Sequence, residues 1–193
     1  KLILTDGWEL ERDKGSFQWK HHDVQGGVDF DIWDPKKGVG DDSHILFKKP
    51  LVLDAFCSVV RVLDLENVFI LGGNIEPKRK GIDSQKATTF YNVKTQKFIK
   101  GKDLNHERWY GSIVRTHDDK FIMVGGSDIK HVGGGNKKEL YSEIPEILEK
   151  DSLGNYSWRI LPKAKSKDFF AEVDSDEYSY PKAFLVSDGN IIG

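Results

Sequence analysis

An all-β fold assembled from a repeated unit of four short strands is what this sequence predicts. Three observations carry that expectation: short apolar runs set between turn signals, the lack of a sustained helical period, and an internal repeat without gaps. The runs are Leu2–Leu4, Val28–Trp33, Val59–Leu63, Val68–Leu71, Thr88–Tyr91, Ser112–Arg115, Phe121–Val124 and Ala183–Val186. Asp118-Asp119, Leu153-Gly154-Asn155 and Asp188-Gly189 punctuate them as hairpin connections. Leu140–Lys150 has a helix-like composition, but Pro145 lacks the N–H an interior helical position needs, so a strand is expected there.

The repeat is the informative element. A segment opening at Cys57 and closing at Gly72-Gly73 aligns without gaps with one opening at Tyr110 and closing at Gly125-Gly126. The glycine pairs are 53 residues apart (125 − 72), close to the kelch period of roughly 50 residues. Each segment reads as a hairpin, and two further strands after each glycine pair, as at Thr88–Asn92 and Lys97–Lys100, would complete a four-stranded propeller blade. An imperfect third copy begins at Tyr180 and reaches its second strand as the sequence ends. Ahead of the first copy, Gly27–Pro35 reads as the third strand and turn of an earlier blade, with Asp34-Pro35 at the turn. An unrelated β-sandwich is the alternative, and a gap-free repeat at this spacing disfavours it.

Propellers close with about four to eight blades, so the sequence reads as a partial kelch-type β-propeller, roughly three to four blades of about seven. It is expected to be the N-terminal part of one domain, with blades at approximately 1–50, 51–104, 105–163 and an incomplete 164–193. The remainder of the propeller is expected to lie outside this sequence.

Composition excludes several classes of partner. Lys+Arg 29 against Asp+Glu 31 gives a net charge of -2, which creates no field favouring nucleic acid or an anionic membrane. The longest apolar runs are too short to span a bilayer, and Lys1 does not open a signal peptide, so the numbering is expected to begin after any targeting segment. Cys57 is the only cysteine, which rules out an internal disulfide framework and a cysteine-based zinc cluster.

The repeat places Cys57 and Tyr110 at the same position of neighbouring units, where the first strand begins. First strands line the axis of a propeller, so the two side chains are expected side by side at one axial site. Taken singly, Cys57 reads as a small buried hydrophobe and Tyr110 as a core aromatic. Other candidates are weaker. Adjacent residues of an extended His21-His22-Asp23 point to opposite faces, which disfavours metal binding. His106 reads as a loop surface residue, Gly133-Gly134-Gly135 as a flexible connection without the Lys-Ser/Thr of a phosphate loop, and Asn155-Tyr156-Ser157 as a glycosylation acceptor in a turn.

Phe56-Cys57-Ser58 followed by Gly72-Gly73-Asn74, and Arg108-Trp109-Tyr110 followed by Gly125-Gly126-Ser127, resemble the copper radical oxidases, the galactose oxidase and glyoxal oxidase family. Tyr180-Pro181 with Leu185 and Asp188-Gly189-Asn190 is similar to the following blade of the glyoxal oxidase branch, and Asp31–Pro35 to its opening blade. The resemblance spans roughly residues 25–193. It implies a secreted, extracellular enzyme that oxidises a small aldehyde or primary alcohol with O2 and yields hydrogen peroxide. It further implies that Tyr110 is a copper ligand, joined at its ring to the Cys57 sulfur as a thioether, and that this Tyr-Cys cofactor holds a radical that takes one electron while copper takes the other. In the galactose oxidase branch an indole stacks on that tyrosine from the third residue after the first glycine of the pair. Here that residue is Asp128, which disfavours that branch. The family's axial tyrosine and two histidines fall in the later half of the propeller, past the end of this sequence. A kelch-type propeller that binds protein or glycan without catalysis is the alternative function, and it would have no use for Cys and Tyr at equivalent positions.

Overall fold

The computed structural model describes residues 2–5, 9–13, 16–20, 30–47, 55–73, 85–132, 136–165 and 180–193. Their secondary structure is all-β apart from three single-turn 3-10 segments. In chain order the strands are β1 Leu2–Thr5, β2 Glu9–Asp13, β3 Ser16–Lys20, β4 Phe30–Trp33, β5 His44–Phe47, β6 Val59–Val62, β7 Asn67–Leu71, β8 Thr88–Asn92, β9 Lys97–Lys100, β10 Ser112–Arg115, β11 Phe121–Val124, β12 Ser127–Val132, β13 Asn136–Tyr141, β14 Glu146–Lys150, β15 Tyr156–Ile160, β16 Phe184–Leu185 and β17 Ile191–Ile192.

Two antiparallel four-stranded sheets dominate, β6-β7-β8-β9 and β10-β11-β14-β15. The two repeat copies form the first hairpin of each, with Val59 opposite Leu71 in one and Ser112 opposite Val124 in the other. Each glycine pair directly follows the second strand of its sheet. On one side lies a three-stranded sheet of order β1-β4-β5, and on the other the β16-β17 hairpin of the third copy. This serial arrangement of antiparallel sheets is that of a β-propeller-like fold.

Alternation along the second strands explains why the sheets stack face to face. From β7, Phe69 and Leu71 enter a core shared with Phe121 and Met123 of β11, while Ile70 enters a different cluster with Phe30, Ile32, Ala55 and Tyr91. From β11, Val124 and Ile122 pack toward Ala183, ahead of β16. Each central strand is therefore buried on both faces, which accounts for the continuous apolar runs that mark it in the sequence. The cluster around Ile70 is strongly aromatic: Phe30 lies 5.1 Å from Tyr91 and 4.8 Å from Phe98, ring centre to ring centre.

Two features depart from the sequence reading. The stretch Leu140–Lys150 is extended and not helical, as expected, but it belongs to two strands in different sheets, β13 and β14, with residues 142–145 between them. A further hairpin, β12-β13, is inserted between the second glycine pair and β14, so the third and fourth strands of this unit do not follow the glycines directly. Positions 28–29 of the expected strand Val28–Trp33, His21-His22-Asp23 and Gly133-Gly134-Gly135 lie outside the described residues. No helix among the described residues is long and apolar enough to cross a membrane.

Candidate functional site

The strands that begin the three repeat copies, β6, β10 and β16, are successive neighbours. Immediately ahead of them sit Cys57, Tyr110 and Tyr180, and all three adopt the left-handed backbone region, with φ of 59°, 61° and 48°. A non-glycine residue there is disfavoured by roughly 1–2 kcal/mol, so three at equivalent positions mark a backbone held by its surroundings. The holding contacts are backbone hydrogen bonds that run from unit to unit. The Tyr110 N–H donates to the Cys57 carbonyl at 3.2 Å, and the Tyr180 N–H donates to the Tyr110 carbonyl at 2.6 Å.

Neighbouring glycines make room for this loop. The Gly73 N–H donates to the Arg108 carbonyl at 2.9 Å, and a Cβ on Gly72, whose φ is +62°, would stand 2.2 Å from that same oxygen. Gly126 plays the corresponding part on the other side, where a Cβ would meet the Trp109 carbonyl at 2.9 Å. Trp109 is further bridged to Ser127 by reciprocal backbone hydrogen bonds of 2.9 and 2.8 Å. The glycines thus have a physical reason: Gly72 and Gly73 let the loop before the next sheet's first strand approach backbone to backbone, and Gly126 does so for the loop before the first strand of its own sheet.

Arg108 anchors the loop from below. It and Glu146 are both 0% exposed and lie 3.2 Å apart as an ion pair. The guanidinium also donates to the carbonyls of Gly125, Ser142 and Ile144, while Glu146 accepts from the backbone N–H groups of Asn105 and His106. A buried pair with this many partners offsets its desolvation and ties the segment 105–108 to β14. His106 therefore contributes its backbone to this network.

The structure brings Cys57 and Tyr110 together. The Tyr110 hydroxyl is hydrogen-bonded to the Cys57 sulfur, and burial, reinforced by that bond and by the charges of Cys57 and Tyr180, pushes the phenol well above its ordinary range. Burial and Cys57 likewise push Tyr180 up to about 12. Both phenols are neutral at physiological pH in this environment, and a nearby cation would be needed to favour the phenolate.

Two aromatic residues that sequence reasoning passed over complete the site. The Trp109 indole stacks on the Tyr110 ring with centres 3.8 Å apart and planes at 28°. An indole thus covers this tyrosine from the adjacent residue, although Asp128 occupies the place from which the galactose oxidase branch supplies one. Tyr180 packs on Tyr110 at 4.8 Å and 44°. Arg108-Trp109-Tyr110 was visible as a motif, but side-chain orientation was not. Tyr180 could have been found from its place in the third repeat copy.

As a metal centre the described residues are incomplete. They contain no group of three or more His, Cys, Asp or Glu side chains able to hold an ion. The donor set fits a tyrosine–thioether pair and does not by itself fit copper.

No protein-family model matches the sequence. Among curated proteins, galactose oxidase from Gibberella zeae is 26% identical over 133 residues, 69% of this chain. The chain spans 16% of the length of that relative. Among solved structures, a fungal alcohol oxidase of the AA5 family, in complex with copper, matches with a TM-score of 0.56 at 15% identity, covering 85% of this chain and 31% of that one. The fold is shared. The sequence similarity to galactose oxidase is distant.

Proposed function

We propose that this chain is part of a copper radical oxidase, nearer to the glyoxal oxidase branch, and that its two four-stranded sheets are successive kelch-type blades of a propeller with about seven. In the whole protein, expected to be secreted, a primary alcohol, or an aldehyde that has added water to form its hydrate, would lose two electrons and two protons to O2, giving a carbonyl compound or an acid respectively, and hydrogen peroxide. The observation that carries this reading is the contact between Cys57 and Tyr110, which occupy one repeat position on two neighbouring sheets and meet through a hydrogen bond. A propeller that only binds a partner has no requirement for that pairing.

Within these residues the chemistry is that of the organic half of the site. Cys57 supplies the sulfur, Tyr110 the ring, and Trp109 a π surface over the ring that excludes water and delocalises charge. Forming the thioether breaks the S–H bond and one ring C–H bond, makes an S–C bond, and passes two hydrogens to O2. Copper, when bound by the complete protein, supplies the second one-electron centre.

The test is peptide mapping of intact protein produced with copper under air. Trypsin releases Trp109–Arg115, which carries Tyr110, and this peptide is expected joined to the one containing Cys57, lighter by two hydrogens. Recovery of Cys57 as a fully alkylatable thiol after denaturation, with the two peptides separate, would overturn the oxidase reading in favour of a binding propeller.

A further inference from the structure

We propose that Tyr180 is a positioning residue for the Cys57–Tyr110 pair, its ring forming the wall that keeps the Tyr110 phenol against the thiol. The proposal deepens the oxidase reading in naming a third side chain of the same site, but its core is geometric. Tyr180 stands in the third repeat copy where Cys57 and Tyr110 stand in the first and second. Its backbone continues the same chain of hydrogen bonds, donating to the Tyr110 carbonyl, and its ring packs on the Tyr110 ring at 4.8 Å.

Ordinary core packing does not explain this residue. Tyr180 is 48% exposed, so burial alone offers a modest return. It also precedes Pro181, and a residue before proline normally takes an extended backbone, yet its φ is +48°. A large aromatic held in a left-handed, pre-proline conformation at a half-exposed position is disfavoured locally twice over. What the conformation achieves is orientation, because it turns the ring from the strand direction onto Tyr110. Trp109 already stacks on that ring at 3.8 Å, so Tyr110 is contacted by two aromatic neighbours and by the Cys57 sulfur. Removing Tyr180 takes away the ring contact supplied by the third repeat copy and leaves Tyr110 with the indole of its own chain neighbour and the Cys57 sulfur.

The experiment uses intact protein prepared without copper, so that Cys57 is a thiol. Its alkylation rate is read on its own peptide by mass spectrometry under native conditions, for wild type, Tyr180→Phe and Tyr180→Asn. Asparagine tolerates the left-handed backbone and removes the ring, while phenylalanine keeps the ring and removes the hydroxyl. Tyr180→Asn is expected to alkylate Cys57 roughly tenfold faster, with Tyr180→Phe close to wild type, because the phenol then no longer shields the sulfur. Unfolding midpoints are measured in parallel, and if Tyr180→Asn does not fold, Tyr180→Leu takes its place. After copper and air are supplied, the joined peptide is expected in wild type and Tyr180→Phe and in severalfold lower yield in the ring-less variant. Equal alkylation rates in wild type and Tyr180→Asn would overturn the positioning role. A faster rate in Tyr180→Asn with no joined peptide in any protein would uphold it and remove the oxidase reading instead.

Discussion

The sheets β6-β7-β8-β9 and β10-β11-β14-β15 share one hairpin register, yet they secure the loop before their first strand by opposite means. In the second sheet Met123 of β11 faces Glu146, and Arg108, two residues before Tyr110, is paired to that carboxylate with both groups buried. In the first sheet Ile70 faces Thr89, and the residue two before Cys57 is Ala55, packed with Phe30, Ile32 and Tyr91. One loop is held by a charged network and the other by aromatic burial. The backbone scaffold therefore tolerates either solution. The ion pair has an added consequence, since the Arg108 carbonyl also receives Gly73 and so joins the two sheets beside the site.

The largest effect should come from splitting the ion pair. Glu146→Thr, which copies Thr89 of the first sheet, leaves the Arg108 charge buried and is expected to cost about 3–5 kcal/mol of stability, measured by denaturant unfolding. Adding Arg108→Ala, which copies Ala55, is expected to lose at least about 1 kcal/mol less than the two single changes summed. Strict additivity would show that the two sheets are not interchangeable in the way proposed.

The glycines sharpen the same comparison. Gly72→Ala and Gly126→Ala each place a Cβ at positive φ, and each is expected to destabilise by about 2 kcal/mol or more. Gly72→Ala should be the worse, because its Cβ would lie 2.2 Å from a backbone oxygen against 2.9 Å for the nearest atoms at Gly126. Equal thermal midpoints would mean that the Arg108 loop yields freely.

A smaller and opposite effect belongs to the aromatic side of the comparison. The Tyr91 hydroxyl is buried and finds no hydrogen-bond partner among the described residues. Tyr91→Phe is expected to raise stability by up to about 1 kcal/mol, read as a higher denaturant midpoint. A loss would show that the hydroxyl is satisfied.

The smallest effect lies in the hairpin turns that join the first two strands of each sheet. Hydrogen bonds from Lys120 and Thr116 hold Asp118 down to about 2. At the other turn burial works against Asp64, but hydrogen bonds from the Asn67 side chain and from the Glu66 and Asn67 backbone outweigh it and leave it lowered. A carboxylate lowered on folding stabilises above its unfolded value and loses that contribution as pH falls, here from about 3.8 toward 2 for Asp118. Asp118→Asn should therefore lower stability slightly near neutral pH, flatten the acid limb, and leave stability unchanged once the pH is below about 2. An unchanged acid limb would show the turn contact to be unformed in solution.

Much of this architecture was readable from spacing. The Gly-Gly pairs, the apolar second strands and the hairpin turns repeat because each unit solves the same local problem, and residues fifteen apart in two copies must take the same geometry. Cys57 and Tyr110 were legible together for that reason. The β12-β13 hairpin was not, because Ser127–Val132 and Asn136–Tyr141 are largely polar and lack the apolar run that marks the central strands. Nor was the Arg108–Glu146 pair, whose partners are 38 residues apart.

Local pattern thus settled the strands, the repeat and which residues share a position, since these follow from side-chain period and glycine backbone freedom. Only the tertiary structure could decide that Trp109 and Tyr180 cover the Tyr110 ring, that Arg108 is buried against Glu146, and that Cys57, Tyr110 and Tyr180 accept left-handed backbones. The Tyr180 ring contact, the backbone hydrogen bonds that link Cys57, Tyr110 and Tyr180, and the Arg108–Glu146 pair join residues far apart in the chain, and no local preference encodes them.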